Sequence, residues 1–116
     1  MSDSTFNSPF TPLTVALYAP SSAVDVHTDT TITLEYPWNN YKNLVLFFLA
    51  TSSTSSTRSL LLVSTQAIGQ GGWYAISQGA TIGGVRITYP SGDYGKLRFV
   101  ETSLSSLYIY RVWGTN

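Results

Sequence analysis

The sequence predicts an all-β protein whose fold is an antiparallel β-sandwich, jelly-roll-like, of about eight strands. Short runs of β-forming residues recur at nearly regular intervals and are separated by turns rich in glycine, proline and serine. No stretch shows sustained helical spacing of apolar residues, and no repeat of fixed period indicates a propeller or a solenoid. With 116 residues, 43% of them hydrophobic, the chain is long enough for one domain with its own core.

Each predicted strand is a run of apolar, aromatic or β-branched residues, and each predicted break contains turn-forming residues. The predicted strands cover residues 13–18, 31–36, 43–50, 58–64, 73–77, 85–89, 96–101 and 106–113. Residues 1–12 contain Pro9 and Pro12 ahead of any periodic pattern and predict an extended N-terminal arm. Residues 13–116 are therefore predicted to form a single β-sandwich domain.

Charge and cysteine content argue against several classes of protein. Only 10% of the residues are charged and the formal net charge is zero, which argues against binding to nucleic acid or to a membrane surface through basic residues. The chain contains no cysteine, which fits assembly in a reducing cytoplasm without disulfides. The longest apolar run, residues 44–50, is too short to span a bilayer, so we expect no membrane insertion.

The sequence offers little support for catalysis or for a cofactor. His27 is the one histidine and stands between Asp25 and Asp29, a pattern that fits a solvated strand face better than a metal site. No G-x-S-x-G motif, P-loop or dinucleotide fingerprint is present. Glu35 and Glu101 lie on separate predicted strands, and nothing in the sequence brings them together as an acid pair. We assign no catalytic residue, no metal and no cofactor, and expect a non-enzymatic protein.

Two predicted strands are apolar on both faces, although a strand of a two-layer sandwich normally alternates apolar and polar positions. Residues 44–49 are all apolar, and residues 60–63 are too. Either a long loop or the N-terminal arm covers the second face, or that face is a subunit interface. The candidate interface residues are Leu44, Leu46, Phe48, Leu60, Leu62, Arg111 and Trp113.

Two groups of aromatic residues lie in or beside predicted turns, where some of them should be exposed. Residues 36–42 combine aromatic, amide and cationic side chains, a mixture that suits sugar binding through ring stacking and hydrogen bonds. The alternative is that these rings close the end of the sandwich. The second group is Trp73 and Tyr74 with Tyr89, Asp93 and Tyr94 around the turn at Pro90, and its alternative is packing at a sheet edge. The candidate receptor-binding residues are Trp38, Asn39, Tyr41, Trp73 and Tyr94.

The C-terminal run, residues 106–116, is strongly β-forming almost to its last residue, so we expect a paired strand rather than a frayed end. Strict alternation would place Leu107, Ile109, Arg111 and Trp113 on one face, for core and intersubunit packing. The cations Arg86, Lys96, Arg98 and Arg111 fall at predicted strand positions. We expect them to pair with Glu35 or Glu101, the alternative being that they bind an anionic glycan.

Two segments of the sequence stand out at the start of a predicted strand and at the chain end. Residues 40–46, NYKNLVL, lead directly into a predicted strand, and residues 109–116, IYRVWGTN, end the chain after the serine-rich turn at 101–106. Both segments resemble segments of tailed-bacteriophage tail-fibre and tail-tip C-terminal domains. The resemblance implies a β-sandwich head that forms a homotrimer in the virion and binds a bacterial surface glycan or outer-membrane protein. The rival expectation is a capsid decoration or tail accessory protein that docks on other virion proteins through its N-terminal arm.

Overall fold

The computed structural model describes residues 14–50, 58–68, 70, 72–78 and 81–116. Within these residues it confirms an all-β sandwich, with nine strands in two sheets. The strands are β1 (Thr14–Tyr18), β2 (Val24–Asp25), β3 (Thr30–Thr33), β4 (Asn43–Ala50), β5 (Ser59–Ser64), β6 (Trp73–Gln78), β7 (Thr81–Thr88), β8 (Lys96–Thr102) and β9 (Leu107–Thr115). One 3₁₀ turn (Trp38–Asn40) and one short helix, α1 (Thr65–Ile68), complete the described elements.

The first sheet has the order β1-β9-β4-β5, and the short strand β2 pairs with β9 as well. The second sheet has the order β3-β8-β7-β6. All pairs are antiparallel. The first and last strands lie side by side, and so do β3 and β8, which gives the sandwich the jelly-roll-like character that the strand pattern predicted.

The core lies between the two sheets because alternate residues of each strand point inward. Strand β4 shows this most clearly, with Leu44, Leu46, Phe48 and Ala50 all buried. The second sheet contributes another set of fully buried side chains, namely Ile76, Val85, Ile87, Leu97 and Phe99. Gln78 is buried too, and its Oε1 accepts a hydrogen bond of 2.8 Å from the backbone N–H of Ala50, which links the two sheets.

A β-bulge interrupts the alternation of β9. Ile109 lies opposite Phe48 whereas Arg111 lies opposite Phe47, so Tyr110 is an extra residue on β9. Before the bulge Ile109 points into the core, and after it Val112 does so instead of Arg111. The prediction that Leu107, Ile109, Arg111 and Trp113 share one face was therefore wrong, because strict alternation does not allow for the inserted residue.

Strand boundaries follow the prediction most closely where alternation is strong and least where glycine was interpreted as a turn. Strand β4 has the predicted bounds, 43–50. Strand β7 begins at Thr81, four residues before the predicted 85, and runs through Gly83 and Gly84. A Cβ at Gly83 would lie 2.7 Å from Leu104 Cδ2, so close packing requires this glycine. The two-residue strand β2 was not predicted.

The predicted N-terminal arm, residues 1–12, lies outside the described residues. In the part of the chain that the structure describes, no helix has the length and apolar character needed to cross a membrane.

Candidate binding face on the first sheet

The outer face of the first sheet is apolar. We call it the apolar face and define it by six side chains that point away from the core: Val45, Phe47, Leu60, Leu62, Tyr110 and Trp113. Leu60 and Leu62 are each 64% exposed. Two aliphatic side chains with this exposure, at successive outward positions of one strand, form a patch that water solvates poorly.

Strand pairing arranges these side chains in rows across the sheet. In one row Val45 of β4 lies opposite Trp113 of β9 on one side and Leu62 of β5 on the other. In the next row Phe47 lies opposite Leu60. Because neighbouring positions across an antiparallel pair bring their side chains into contact range, the rows form one continuous surface over three strands.

Three aromatic rings and one cation cover the centre of this surface. The ring of Phe47 lies 5.9 Å from that of Tyr110 and 6.1 Å from that of Trp113, measured between centroids. The guanidinium carbon of Arg58 lies 4.0 Å from the centroid of Tyr110, a favourable cation–π distance. The bulge places Trp113 outside the core, whereas Tyr110 lies outside because it follows the inward-pointing Ile109.

A groove of about 430 Å³ runs along the apolar face. It is lined by Thr14, Val45, Phe47, Arg58, Leu60, Trp113 and Thr115. Arg58 is the one charged residue of this lining. The groove can therefore accept apolar side chains along its length, with a single cationic group available to an acidic one.

The structure divides six of the seven predicted interface residues into two groups. Leu60, Leu62 and Trp113 belong to the apolar face. The assignment of Leu44, Leu46 and Phe48 to an interface was wrong, because they are 0%, 1% and 2% exposed and fill the core between the sheets. The apolar residues that β4 does present outward are the intervening ones, of which Val45 and Phe47 line the groove.

The predicted ion pairs of the strand cations are confirmed for one cation and not for the others. Arg86 pairs with Glu101 at 3.6 Å, as predicted. Arg111 does not, because its Nη1 donates to the carbonyl oxygens of Pro20 and Tyr110, at 3.2 and 2.6 Å. Arg111 thereby braces the bulge against the chain that follows β1, which is a structural role.

The other two strand cations pair with aspartates rather than with the predicted glutamates. Lys96 lies 3.1 Å from Asp93. Arg98 donates two hydrogen bonds to Asp29, at 2.9 and 2.6 Å. This bidentate pairing lowers the pKa of the Asp29 carboxyl group below its ordinary value.

Two of the predicted receptor-binding aromatics are buried and close the end of the sandwich. Trp38 is 5% exposed and packs edge-on against Tyr89 and Tyr94, with centroid distances of 5.0 and 5.4 Å. Tyr41 is 7% exposed and lies under Gly114, where a Cβ would come within 2.6 Å of its ring. Their assignment as receptor contacts was therefore wrong, since neither ring presents a face to a ligand.

The remaining predicted receptor-binding residues are exposed but lie apart from the apolar face. Asn39 is exposed in the 3₁₀ turn. Tyr94 is 41% exposed and contacts Trp38. Trp73 is 50% exposed at the start of β6, where the guanidinium carbon of Arg86 lies 5.5 Å from its ring centroid. The structure thus brings Tyr94 and Trp38 together and places Trp73 in a separate cation–π pair.

The acidic residues around His27 do not form a common row. His27 Nδ1 lies 2.9 Å from Asp25, whereas Asp29 turns to Arg98. Burial raises the pKa of Asp25, but hydrogen bonds from the side chain and backbone of His27 and from the backbone of Leu107 outweigh it, and the net pKa is lowered. Among the described residues, no three His, Cys, Asp or Glu side chains are grouped so as to hold a metal ion.

A second depression, of about 400 Å³, lies at the end of the first sheet. Its lining is more polar than that of the groove and consists of Tyr41, Lys42, Asn43, Ser64, Thr65 and Gln66. The hydroxyl of Thr65 donates to the carbonyl oxygens of Tyr41 and Lys42, at 2.7 and 2.9 Å, and so holds the two sides of the depression together.

Sequence reasoning missed Val45, Phe47 and Tyr110 of the apolar face, and Arg58 beside it. For Phe47 the signal was present, because alternation around the buried Phe48 places its neighbour on the opposite face. For Tyr110 the same signal was present, because alternation after Ile109 places it away from the core. The bulge, which depends on register across β4 and β9, changes the side of the residues after it.

No model of a known protein family matches this sequence, and no curated protein is significantly similar to it.

Proposed function

We propose that this chain is a non-enzymatic virion protein, the head of a tail fibre or tail tip, which self-assembles as a homotrimer and binds the bacterial host surface. The observation that carries the proposal is the exposed apolar face, with Leu60 and Leu62 each 64% exposed beside Val45, Phe47 and Trp113. A contiguous apolar patch of this kind marks an interaction surface in a soluble domain.

Self-association is the simplest way to cover this face. The chain has a formal net charge of zero, and the face itself holds one cation, Arg58, which is already engaged with Tyr110. Copies of the chain can therefore approach with little charge repulsion, and burial of aliphatic and aromatic side chains supplies the favourable free energy. Closed cyclic assemblies cover such faces on every copy, as a trimer does.

The two segments that resemble phage fibre domains are neighbours in the folded chain, which supports this assignment. Thr115 and Gly114 of the C-terminal segment lie opposite Asn43 and Leu44 of the first segment. In addition, the side-chain oxygen of Asn116 accepts a hydrogen bond of 2.9 Å from the backbone N–H of Lys42. The resemblance therefore concerns one structural unit rather than two unrelated short matches.

For the host contact we propose Trp73, Tyr94 and Asn39, the receptor-binding candidates that are exposed. Trp73 beside Arg86 offers an aromatic face and a cation to a sugar ring with acidic substituents. In this arrangement the apolar face assembles the head, and the residues of the second sheet and of the turns face the receptor, which is a surface glycan or an outer-membrane protein.

The second candidate is a capsid decoration or tail accessory protein that docks on another virion protein through residues 1–12. One observation favours it: Thr14, which follows the predicted arm by one residue, lines the groove. An arm that starts beside an apolar groove is well placed to join two proteins. Under this alternative the chain binds empty capsids or tails tightly and does not bind intact cells.

Two measurements test the proposal. Sedimentation of the purified chain at micromolar concentration is expected to show a trimer, and the double variant Leu60→Ser/Leu62→Ser is expected to shift it to monomer. The matched control is Ile82→Ser, because Ile82 is 79% exposed but lies on β7 of the second sheet. A wild-type chain that stays monomeric contradicts the assembly.

The host contact is tested by binding of the labelled chain to intact bacterial cells and to their isolated surface glycans. Trp73→Ala is expected to reduce this binding while leaving the trimer intact. Tight binding to empty capsids with no binding to cells would instead support the decoration protein.

A further inference from the structure

The groove on the apolar face begins at Thr14, the point at which residues 1–13 join strand β1. Thr14 and Thr115 line one end of it, and the pairing of β1 with β9 places these two residues opposite each other at the end of the sheet. Phe47 and Leu60 lie further along the groove, in the direction in which β1 runs. Thirteen residues precede Thr14.

We propose that the occupant of this groove is residues 1–13 of a second copy of the chain, so that the assembly is held together by an exchanged N-terminal segment. The inference rests on the proposed self-assembly and names the part of the partner copy that covers the apolar face.

The composition of residues 1–13 matches the groove. The segment contains two phenylalanines, Phe6 and Phe10, four positions apart. In an extended chain such positions lie on the same side, so both rings can enter one groove. Asp3 is the one ionisable side chain of the segment, and Arg58 is the one charged residue of the groove lining. The two therefore offer complementary charges.

The segment is also long enough. Thirteen extended residues span at most about 45 Å. The distance across the four strands from β1 to β5 is three strand spacings, or about 14 Å. A segment of this length can leave one copy and still cross the groove of the next.

The direction of the chain favours a second copy over the same one. The chain enters β1 at the end of the sheet, so the residues before Thr14 must reverse direction within a few positions to enter their own groove. Ser8 and Thr11, which precede Pro9 and Pro12, are restricted to extended conformations. This leaves few positions at which the chain could reverse. An extended segment instead projects from the sheet toward a neighbour.

Cysteine cross-linking in the full chain tests the inference, because the chain has no cysteine of its own. One population carries Phe6→Cys and a second carries Leu60→Cys; the two are refolded together and oxidised, and the products are identified by mass spectrometry. Any bond between positions 6 and 60 then joins two copies. The control pairs Phe6→Cys with Ile82→Cys, because Ile82 lies on the other sheet and is more exposed than Leu60, 79% against 64%.

We expect on the order of tenfold more product for the pair 6–60 than for the pair 6–82, because a disulfide forms only where Cα atoms come within about 7 Å. Equal yields overturn the inference. A third sample carries both substitutions, Phe6→Cys and Leu60→Cys, in one chain. If the bond between positions 6 and 60 forms within this chain but not between the two single-variant populations, the inference is overturned as well and the segment lies on its own groove.

A second measurement separates this inference from the proposed function. Phe6→Ser/Phe10→Ser in the full chain is expected to raise the dissociation constant of the assembly by about tenfold or more, equivalent to about 1.4 kcal/mol; the matched control is Asn7→Ser, between the two rings. If the trimer is unaffected, the exchanged segment is wrong and the proposed self-assembly stands. If the unmodified chain is monomeric at all concentrations, both are wrong.

Discussion

The outer face of the second sheet carries hydroxyl groups and ion pairs, whereas the outer face of the first sheet carries aliphatic and aromatic side chains. On the second sheet Thr31 lies opposite Arg98, which pairs with Asp29, and Arg86 pairs with Glu101. On the first sheet the corresponding outward positions of β5 are Leu60 and Leu62.

The difference shows that the chain places mainly polar side chains on the outer face of the second sheet and apolar side chains on the outer face of the first sheet. Both sheets pack on the same core, so the core does not require the outer face of the first sheet to be apolar. The exposed apolar residues on the second sheet are Trp73, which is shielded in part by Arg86, and Ile82, which is 79% exposed on β7. The contrast between the two outer faces is therefore the main physical argument for a partner on the first sheet.

The test with the largest expected change in the free energy of unfolding compares side chains on the two faces of β4. Phe48→Ala removes a fully buried ring from the core and is expected to lower the free energy of unfolding by about 3–5 kcal/mol. Phe47→Ala removes the neighbouring outward ring and is expected to cost about 1 kcal/mol, the value of its aromatic contacts. Urea denaturation at concentrations that suppress self-association measures both. Equal losses would mean that the outer face is already covered within one chain.

A second test concerns the packing of Tyr41 beneath the inner face of β9. Gly114→Ala places a Cβ within 2.6 Å of the Tyr41 ring and is expected to lower the free energy of unfolding by about 1–3 kcal/mol. Gly72→Ala is the control, because nothing lies within 4 Å of its Cβ position. Adding Tyr41→Leu should recover part of the loss in thermal melts. A neutral Gly114→Ala would show that the end of the sandwich is loosely packed.

A third test asks what holds the edge of the first sheet. Asp25 accepts hydrogen bonds from the backbone N–H groups of His27 and Leu107, at 3.1 and 3.2 Å, and so fastens β2 to β9. Asp25→Asn should lower the free energy of unfolding at pH 7 by about 1 kcal/mol.

The pH dependence of stability shows whether the charged form of Asp25 contributes. Because the pKa of Asp25 is lowered in the folded chain, its contribution is fully present above its ordinary pKa of about 3.9 and is lost as the pH falls through the folded pKa. The difference between Asp25→Asn and the unmodified chain should therefore shrink on acidification in denaturation curves recorded from pH 7 to pH 2. A difference that stays constant would show that the carboxylate charge does not contribute.

The smallest expected effect concerns the cation on the apolar face. Arg58→Ala removes the cation above Tyr110 and is expected to cost about 0.5–1 kcal/mol in urea denaturation. Arg58→Lys should retain part of this, since the charge remains but the planar group does not. A variant more stable than the unmodified chain would indicate that Arg58 is kept for a partner rather than for the fold.

The parts of this fold that could be predicted are those governed by local pattern. Strand β4 was predicted with its correct bounds because a continuous apolar run is flanked by turn residues on both sides. The depth of Trp38 and Tyr41 was not predictable, because aromatic residues in a short turn have no periodicity to show which way they point. The existence of the apolar face and three of its members, Leu60, Leu62 and Trp113, were predicted. The other members were not, since the side that each residue of a continuous apolar run takes is set by packing and register between strands distant in sequence.

The extra residue at Tyr110 changes which positions of β9 point into the core. Up to Ile109 the odd-numbered positions of β9 supply the core, and from Val112 the even-numbered positions do. One strand thus presents an aromatic such as Trp113 to the outside while Gly114 still fits against Tyr41 inside. Mutations at the outward positions after the bulge can therefore alter what the protein associates with at little cost to stability, so partner choice and foldability are free to evolve separately along the nine residues of β9.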